Sequence, residues 1–551
     1  MILSEQYLQS LLDKTFPQIR SAAGCAVVLE GSIAEGFGNS SSDIDFLLIA
    51  DVDADLPTMP SLLFVDGRRV EVRTRSVRQL EEQFSAVATA VREGSGAQVE
   101  DLLNRCQRLL RSFPLRNPEL VAKVKGLMSL DDFADMAGRW WADRARHCVR
   151  YALVLRRLGL PQEAAAWMEA GLLQAVKSWA AARGETYLEP KWLPMQLDRI
   201  GDHPLSGRFR ALASLDVSGL DAAGYVDEGR RLAVDLGISG VEDTGERITV
   251  ARADAVTTWQ TGERVHVVRG RQDVFVLGHR TARAWRSLVF GRSLEQVLAT
   301  AEAAGTPNAG PMIAEFLRYG LVRAAWRGEG PIVATMPLAA PSGAITPPPS
   351  TALPVIGVGG AAIEDPEAIG LVPVPARRFS AAAMTLVWSN VLVENAREDL
   401  VGALDREQWG VAQLSARRIL RFAVRGLLSA YAVNPLPPDA EVVRRLAMLP
   451  AGARTDGIRE RAERLERLTV GSDTEGATAL AELDAFVALV RGATGADRFP
   501  SSFDSSDAWR RTLEIGYDWL RLGAHLNADL PIDEASDLLS SGGAQPHAAT
   551  S

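Results

Sequence analysis

Two short apolar segments joined by a polar loop constrain the fold of this chain more than any other feature. The first, residues 25–29, leads into a Gly-Ser pair, and the second, residues 46–49, is preceded by Asp-Ile-Asp. Apolar segments of this length, bounded by glycine, serine and asparagine, are typical of strands inside a sheet. Farther along, Asp66-Gly67 predicts a hairpin turn into another strand. We therefore expect a mixed sheet near the N-terminus.

The whole sequence of 551 residues predicts a multidomain α+β protein. A mixed sheet with helices comes first, and helical bundles follow where apolar residues recur at helical spacing. Short β-rich segments followed by three short helices outline a small winged-helix-like domain, which a proline- and glycine-rich stretch separates from a second bundle. The expected boundaries are 1–118 (sheet domain), 119–240 (first helical bundle), 241–329 (winged-helix-like domain), 330–380 (linker), 381–530 (second helical bundle) and 531–551 (disordered tail).

The composition disfavours several classes of protein. With 60 basic against 69 acidic residues the net charge is −9, so bulk nucleic acid is not an expected partner. No segment of about 18 apolar residues is present, so we expect no membrane partner. Cys25, Cys106 and Cys148 lack metal-binding spacing, and the acidic first residues do not resemble a secretory signal. A cytoplasmic location is expected.

Three carboxylates form the strongest chemical signal. Strand alternation places Asp43 and Asp45 on one face, where two close carboxylates repel each other unless a cation lies between them. Glu71 lies in a neighbouring apolar strand and supplies a third acid. Three carboxylates can hold two Mg²⁺ ions, one to activate an attacking hydroxyl and one to bind a triphosphate.

Four further residues are suited to binding phosphate. Gly31 lets the backbone approach a phosphate closely, and the Ser32 hydroxyl can bind phosphate oxygens. Arg73 and Arg75 share the strand face of Glu71 and are placed to neutralise phosphate charge. Together with the carboxylates, these residues predict a metal-assisted site for phosphate chemistry.

This pattern resembles the polymerase-β-type nucleotidyltransferase superfamily, whose signature is Gly-Ser, a spacer, Asp-x-Asp and a later acid. It is most similar to the minimal and aminoglycoside-nucleotidyltransferase-like members, and it covers about 80 residues directly. The resemblance implies that 1–118 is the catalytic domain and that 119–240 shapes the acceptor side. It also implies that Asp43, Asp45 and Glu71 are catalytic and ligate two Mg²⁺ ions, and that Gly31-Ser32 binds the nucleotide.

Residues 264–326 carry a second resemblance. A strand hairpin is followed by a helix with Trp285, a helix in the segment GRSLEQVL and a helix that runs into Gly-Leu-Val. This order is similar to PqqD-like peptide-recognition domains, which bind a leader peptide as an added strand. A leader peptide is thus an implied partner of 241–329. An ordinary winged-helix module for packing or dimerisation stays open, as does nucleic-acid binding through local arginines such as Arg283 and Arg286.

The two resemblances together imply an enzyme of natural-product biosynthesis. It would transfer a nucleoside monophosphate from an NTP, most simply ATP, to a hydroxyl-type acceptor in a ribosomally made peptide or its pathway product. One alternative is an antibiotic-modifying enzyme for an aminoglycoside-like acceptor, with an acidic pocket to which Asp131, Asp132, Asp135, Glu163 or Glu169 could contribute. The other alternative is a non-catalytic scaffold that binds nucleotide and peptide.

Overall fold

The structure of this protein is a computed structural model. It describes residues 3–332 and 376–540, except for 20–23, 40–41, 52–55, 59, 94–99, 216–220, 243–244, 263, 270–272, 289–291, 432, 434–435, 450–452, 495, 497–506, 508–516 and 519. The described part contains one five-stranded mixed sheet, two three-stranded sheets and many helices, so the expected α+β class is confirmed.

The five-stranded sheet lies in the N-terminal part of the chain. Its strands, in the spatial order β3-β4-β2-β1-β5, are β1 (Ala26–Glu30), β2 (Ile44–Ala50), β3 (Ser61–Val65), β4 (Arg68–Ser76) and β5 (Phe113–Arg116). β2 and β4 run parallel, whereas the other neighbouring pairs are antiparallel. Asp66 and Gly67 have φ values of 51° and 75°, as a two-residue hairpin requires, so the predicted turn is confirmed.

Helices cover both faces of this sheet. They are α1 (Glu5–Thr15), α2 (Gly31–Glu35), α3 (Val77–Arg92) and α4 (Glu100–Leu110). α1 packs on the face that carries Val27 and Phe46. α3 and α4 pack on the opposite face, which carries Val28 and Leu47. Asp45 follows the alternation of Leu47 and therefore belongs to the face that α3 and α4 cover.

A helical region follows the sheet. Its helices are α5 (Pro118–Lys125), α6 (Leu130–Arg157), α7 (Pro161–Ala181), α8 (Leu193–Ile200), α9 (Pro204–Ala213) and α10 (Ala222–Asp235). α6 begins where the Ser129 hydroxyl accepts a hydrogen bond from the backbone N–H of Asp132. Its first half packs Phe133 and Trp140 into the core beneath the sheet, and its second half joins a separate core with α7 and α10. Residues 182–192 connect α7 to α8.

The third region contains the three short helices that the sequence predicts, together with two small sheets. Its elements are β6 (Ile248–Arg252), β7 (Val256–Thr261), β8 (Arg264–Arg269), β9 (Asp273–Leu277), α11 (His279–Ser287), α12 (Leu294–Ala303), α13 (Gly310–Arg318), β10 (Val322–Trp326) and β11 (Gly330–Ile332). The sheet orders are β11-β10-β6 and β7-β8-β9. Trp285 and Trp326 share one apolar core with α6, α7 and α10. This region is thus packed against the preceding helices rather than around a separate core.

The C-terminal region is helical. Its helices are α14 (Ala376–Leu404), α15 (Trp409–Ala430), α16 (Ala453–Leu465), α17 (Asp473–Thr494) and α18 (Ile532–Ser540). α14 to α17 enclose an apolar core that also takes in Phe37, Tyr187 and Trp192 from the N-terminal half. The C-terminal helices therefore lie directly against the sheet region despite their distance in sequence.

Two expected boundaries are wrong at their ends. The linker predicted over 330–380 is too wide, because β11 pairs with β10 at its start and α14 begins at Ala376. The tail predicted over 531–551 is not disordered throughout, because α18 buries Ala535 and Leu538. Residues 333–375 and 541–551, where the rest of these two predictions falls, lie outside the described residues.

The long helices of the described part carry too many polar residues to cross a membrane. α14 has 29 residues and α6 has 28, but both are interrupted by charged side chains. Among the described residues, no helix combines the length and the apolar content that a membrane span needs.

Candidate functional site

The structure brings the three predicted carboxylates together. Asp43 lies one residue before β2, and Asp45 lies in β2. Glu71, in the parallel strand β4, is the register partner of Asp45. One carboxylate oxygen from each of the three residues lies within 4.8 Å of the other two, whereas Ile44 between the two aspartates is buried in the opposite core. The local strand period therefore produces the cluster, because it points alternate side chains to one face.

The Gly-Ser pair lies at the same end of the sheet. Gly31 begins α2 with a φ of +78°, and a Cβ at this position would lie 2.2 Å from Oδ2 of Asp45. The carbonyl oxygen of Ser32 accepts hydrogen bonds of 2.9 Å from the backbone N–H groups of Phe37 and Gly38. Glycine is thus required at position 31 both by the backbone conformation and by the approach of a carboxylate.

An arginine is paired with each of the three carboxylates. Arg69 lies 3.3 Å from Asp43, Arg73 lies 2.5 Å from Glu71, and Arg108 lies 2.6 Å from Asp45. Arg73 was predicted from its strand face, but Arg69 and Arg108 were not. Arg69 lies two residues before Glu71 and shares its strand face, whereas Arg108 comes from α4.

The burial of the Asp45 carboxyl group disfavours its charged form. Burial raises the pKa of Asp45 to about 8, Arg108 opposes this rise, and the negative charges of Asp43, Glu71 and Glu30 add to it. Burial would lower the pKa of Arg108, but Asp45 and Glu30 together raise that pKa well above its usual value. The cluster therefore needs nearby positive charge to stay ionised.

These residues fit a divalent metal ion. The donors are carboxylate oxygens, which Mg²⁺ prefers, and they come from β2, from the residue just before it and from the adjacent strand β4. The absence of a side chain at Gly31 lets the Asp45 carboxylate approach the backbone, because a Cβ there would lie 2.2 Å from Oδ2 of Asp45. The chain thus supplies the three acids that two-metal phosphoryl chemistry uses.

Helix α14 forms another wall of the site. Arg69, besides contacting Asp43, lies 2.9 Å from Glu398 of α14, and Lys191 lies 2.7 Å from the adjacent Asp399. Lys191 also lies 3.1 Å from Glu189. Sequence reasoning missed these contacts, of which the Arg69–Glu398 pair connects α14 to the carboxylate cluster through Asp43.

The acids considered for a cationic acceptor are engaged or exposed elsewhere. Glu163 pairs with Arg318 of α13, and Glu169 lies 2.6 Å from Arg417 of α15. Asp131, Asp132 and Asp135 are exposed in the first turns of α6. None of the five contacts the three carboxylates through an interaction that the described residues show, so they do not build an acidic pocket there.

The third region presents a different kind of surface. β7 is an outer strand of the β7-β8-β9 sheet, and its residues after Val256 are exposed. Trp259, His266 and Val276 are register partners across the three strands, and the exposed fractions of Trp259 and Val276 are 67% and 58%. A row of two apolar side chains with His266 between them thus crosses the outer face of this sheet and ends at a strand edge that no other described strand occupies.

Comparisons with known proteins identify no relative of this chain. No protein-family model matches it, and a search of the curated proteins finds no match either.

Proposed function

We propose that this chain is a divalent-metal-dependent nucleotidyltransferase. It transfers a nucleoside monophosphate from an NTP, with ATP the first candidate, to a hydroxyl-type acceptor and releases pyrophosphate. The observation that carries this proposal is the cluster of Asp43, Asp45 and Glu71, in which one carboxylate oxygen from each residue lies within 4.8 Å of the others, with Asp45 against the backbone of Gly31. The sequence resemblance to polymerase-β-type enzymes supports the same reaction.

Each residue has a role in this reaction. Asp43, Asp45 and Glu71 would hold two Mg²⁺ ions, which when bound supply Lewis acidity and neutralise phosphate charge. The acceptor oxygen attacks the α-phosphorus, the bond to the bridging oxygen of the β-phosphate breaks, and pyrophosphate leaves with the electron pair. Glu71 takes the proton of the acceptor hydroxyl. The Gly31-Ser32 turn holds the triphosphate.

A transfer assay with the full chain tests this proposal. Each of the four α-labelled NTPs is incubated with Mg²⁺ and a panel of acceptors that includes serine- and threonine-containing peptides, an aminoglycoside and simple polyols. We expect label in one acceptor, equimolar pyrophosphate, and loss of both after removal of Mg²⁺. Label transfer that persists unchanged when Asp43 and Asp45 are both replaced by asparagine would overturn the assignment of the site.

The two alternative functions make different predictions. A non-catalytic scaffold would bind NTP with no dependence on Mg²⁺, which titration calorimetry with and without the ion measures directly. An aminoglycoside-modifying enzyme would label the aminoglycoside in preference to peptides. The engagement of Glu163 and Glu169 in ion pairs with other helices does not favour that alternative.

We also propose that the acceptor belongs to a peptide pathway and that the third region binds a leader peptide. The specific observation is the exposed edge of β7 beside Trp259, since an added strand obtains its hydrogen bonds from such an edge. Because this region shares its core with α6, α7 and α10, the test uses the full chain. Peptides encoded by neighbouring open reading frames should bind at micromolar concentration, and failure of all of them would remove this part of the proposal.

The location that we propose is the cytoplasm. Cys25, Cys106 and Cys148 are buried and free, which suits a reducing compartment. The net charge of −9 also makes a small charged ligand or a peptide a better partner than bulk nucleic acid.

A further inference from the structure

A pocket lined by arginines adjoins the carboxylate cluster. It has a cavity volume of about 30 Å³, enough to admit a phosphate oxygen, and lies beneath α3 and α4, on the sheet face that carries Asp45. Four of its lining residues are Arg73 and Arg75 of β4 and Arg105 and Arg108 of α4. We call this cavity the arginine pocket. Such a concentration of guanidinium groups is typical of a site for phosphate oxygens.

The positive charge of this pocket is balanced mainly by the candidate metal ligands. Arg73 pairs with Glu71, and Arg108 pairs with Asp45. Arg108 also lies 3.4 Å from Glu30, and the buried Nε of Arg108 has no hydrogen-bond partner among the described residues. The two arginines thus provide the counter-charge to these two carboxylates.

Arg75 is the one arginine of this lining without a close carboxylate among the described residues. It donates a hydrogen bond to the carbonyl oxygen of Thr74, and no carboxylate of the described residues lies within ion-pair distance of it. Burial lowers its pKa, and the positive charges of Arg105 and Arg73 lower it further. An anion in the pocket would remove this repulsion.

We propose that Arg73 and Arg108 are exchangeable counter-cations, which neutralise Glu71 and Asp45 in the metal-free protein and bind pyrophosphate oxygens once divalent metal holds those carboxylates. A metal ion beside the carboxylates repels the two guanidinium groups, since like charges at such short distances raise each other's energy. The released groups face the arginine pocket, where Arg75 has no carboxylate partner among the described residues. The identity of the anion as the leaving group rests on the proposed function.

This exchange couples two ligands. In the absence of an anion, the arginines compete with the metal for the carboxylates, so the metal binds weakly. An anion that engages the arginines removes the competitor and strengthens metal binding, and by thermodynamic reciprocity the metal strengthens anion binding equally. Because of this coupling, metal and phosphate each bind more tightly when the other is bound.

The test compares two binding measurements on the full chain. Binding of Mn²⁺ without an anion is followed by electron paramagnetic resonance, and binding of pyrophosphate at fixed free Mg²⁺ is followed by calorimetry, corrected for the metal-pyrophosphate complex in solution. For Arg108→Gln we expect Mn²⁺ to bind about tenfold more tightly and pyrophosphate at least tenfold more weakly. Arg78→Gln on α3, whose side chain is 64% exposed, is the control and should change neither.

Tighter Mn²⁺ binding combined with weaker pyrophosphate binding distinguishes the exchange from other roles of Arg108. A variant whose Mn²⁺ affinity falls or stays unchanged overturns the proposal. Because Arg108→Gln leaves Asp45 and Glu30 without their partner and can affect folding, Arg75→Gln provides a second variant. It should weaken pyrophosphate binding at least fivefold while leaving Mn²⁺ binding within twofold, and unchanged pyrophosphate binding in this variant likewise overturns the proposal.

Failure of this inference and failure of the proposed function are separable. Neither binding measurement needs an acceptor or nucleotide transfer. If the protein transfers nucleotide but wild type and Arg108→Gln bind Mn²⁺ equally well, the proposed function stands and the proposed exchange fails. If Arg108→Gln binds Mn²⁺ more tightly and pyrophosphate more weakly, but the protein transfers no nucleotide, the exchange stands and the proposed function fails. The site would then be a phosphate-binding site coupled to metal.

Discussion

The five-stranded sheet and the β7-β8-β9 sheet present opposite kinds of surface. In the first, Asp43, Asp45 and Glu71 are confined among arginines, and the side chain of Asp45 is 13% exposed. In the second, Trp259 and Val276 are mostly exposed, and the edge of β7 is open among the described residues. One surface concentrates charge, whereas the other displays apolar side chains and backbone hydrogen-bonding groups.

This difference separates chemistry from recognition. A confined cluster of acids and arginines suits a small, highly charged ligand with its metal ions, because buried charges interact strongly. An open strand edge suits an extended polypeptide, because the ligand supplies the missing ladder partner. The following four predictions test this contrast, from the largest expected effect to the smallest.

Removal of the negative charge from β2 should have the largest effect. We expect the Asp43→Asn/Asp45→Asn double variant to lose at least about a thousandfold in nucleotide transfer, since the metal would lose two of its three carboxylate ligands. Transfer of labelled nucleotide measures the loss. Asp66→Asn in the β3-β4 turn is the matched control and should retain activity, because Asp66 pairs with Lys14 at the surface. Comparable losses in both variants would contradict a specific role for the cluster.

A methyl group at the Gly31 turn should have the next largest effect. Gly31→Ala introduces a Cβ 2.2 Å from Oδ2 of Asp45 at a φ of +78°, so we expect about a hundredfold lower transfer and a loss of ~2 kcal/mol in stability. Gly24→Ala provides the control, because Gly24 has a φ of +80° with no atom within 4 Å of its Cβ position. Gly24→Ala should lose stability without the large loss of transfer. Thermal unfolding and the transfer assay separate the two effects, and equal transfer in both variants would contradict the close contact with Asp45.

Substitution on the outer sheet should affect peptide binding without affecting transfer to a small acceptor. Trp259→Ser is expected to weaken leader-peptide binding about tenfold and to change stability by less than about 0.5 kcal/mol, because the side chain is 67% exposed. Val276→Ser, at the other end of the same row, tests whether the β7 edge or the sheet face binds. If the peptide adds to the β7 edge, Val276→Ser should weaken peptide binding less than Trp259→Ser does. Equal weakening by the two variants would indicate binding across the sheet face. Fluorescence anisotropy of a labelled peptide measures both.

The smallest expected effect is on the pH dependence of stability, through the buried Lys177 of α7. Lys177 is buried and donates hydrogen bonds to the carbonyl oxygen of Tyr187 and to Gln196. Burial lowers its pKa to about 7, against the attraction of Glu189, Glu185 and Glu35. The unfolded chain therefore binds the proton more tightly, so stability should rise as pH rises above 7.

The comparison of wild type with Lys177→Met measures this contribution. From pH 7 to pH 8 the wild type should gain about 1 kcal/mol in unfolding free energy relative to Lys177→Met. Denaturant titrations at the two pH values give the difference. Lys123→Met on the exposed side of α5 is the control. A relative stability that falls over this interval would contradict the low pKa of Lys177.

The sequence predicts those features that depend on local periodicity. Alternation in β2 places Asp43 and Asp45 on one face, and the Asp66-Gly67 pair specifies the hairpin that brings in β4. Both signals are encoded within a few residues, so they can be read without knowledge of the tertiary structure. The α+β class follows from the same periodicities.

The arginine partners could not be predicted in this way. Arg108 reaches Asp45 from α4, and Arg69 reaches Glu398 of α14, and neither pairing leaves a local pattern in the sequence. The helical part of the predicted tail was missed for a related reason, because the burial of Leu538 depends on the rest of the fold. Tertiary contacts, rather than propensity, determine all three.

The contact between Arg69 and Glu398 has a consequence for how the protein is made. These two residues lie 329 positions apart, so the sheet leaves the ribosome long before α14 has been synthesised. Domains of a growing chain fold in the order in which they emerge. A newly folded sheet therefore holds Asp43 and Arg69 without the second carboxylate, and the final charge balance of the site is reached when the C-terminal helices dock.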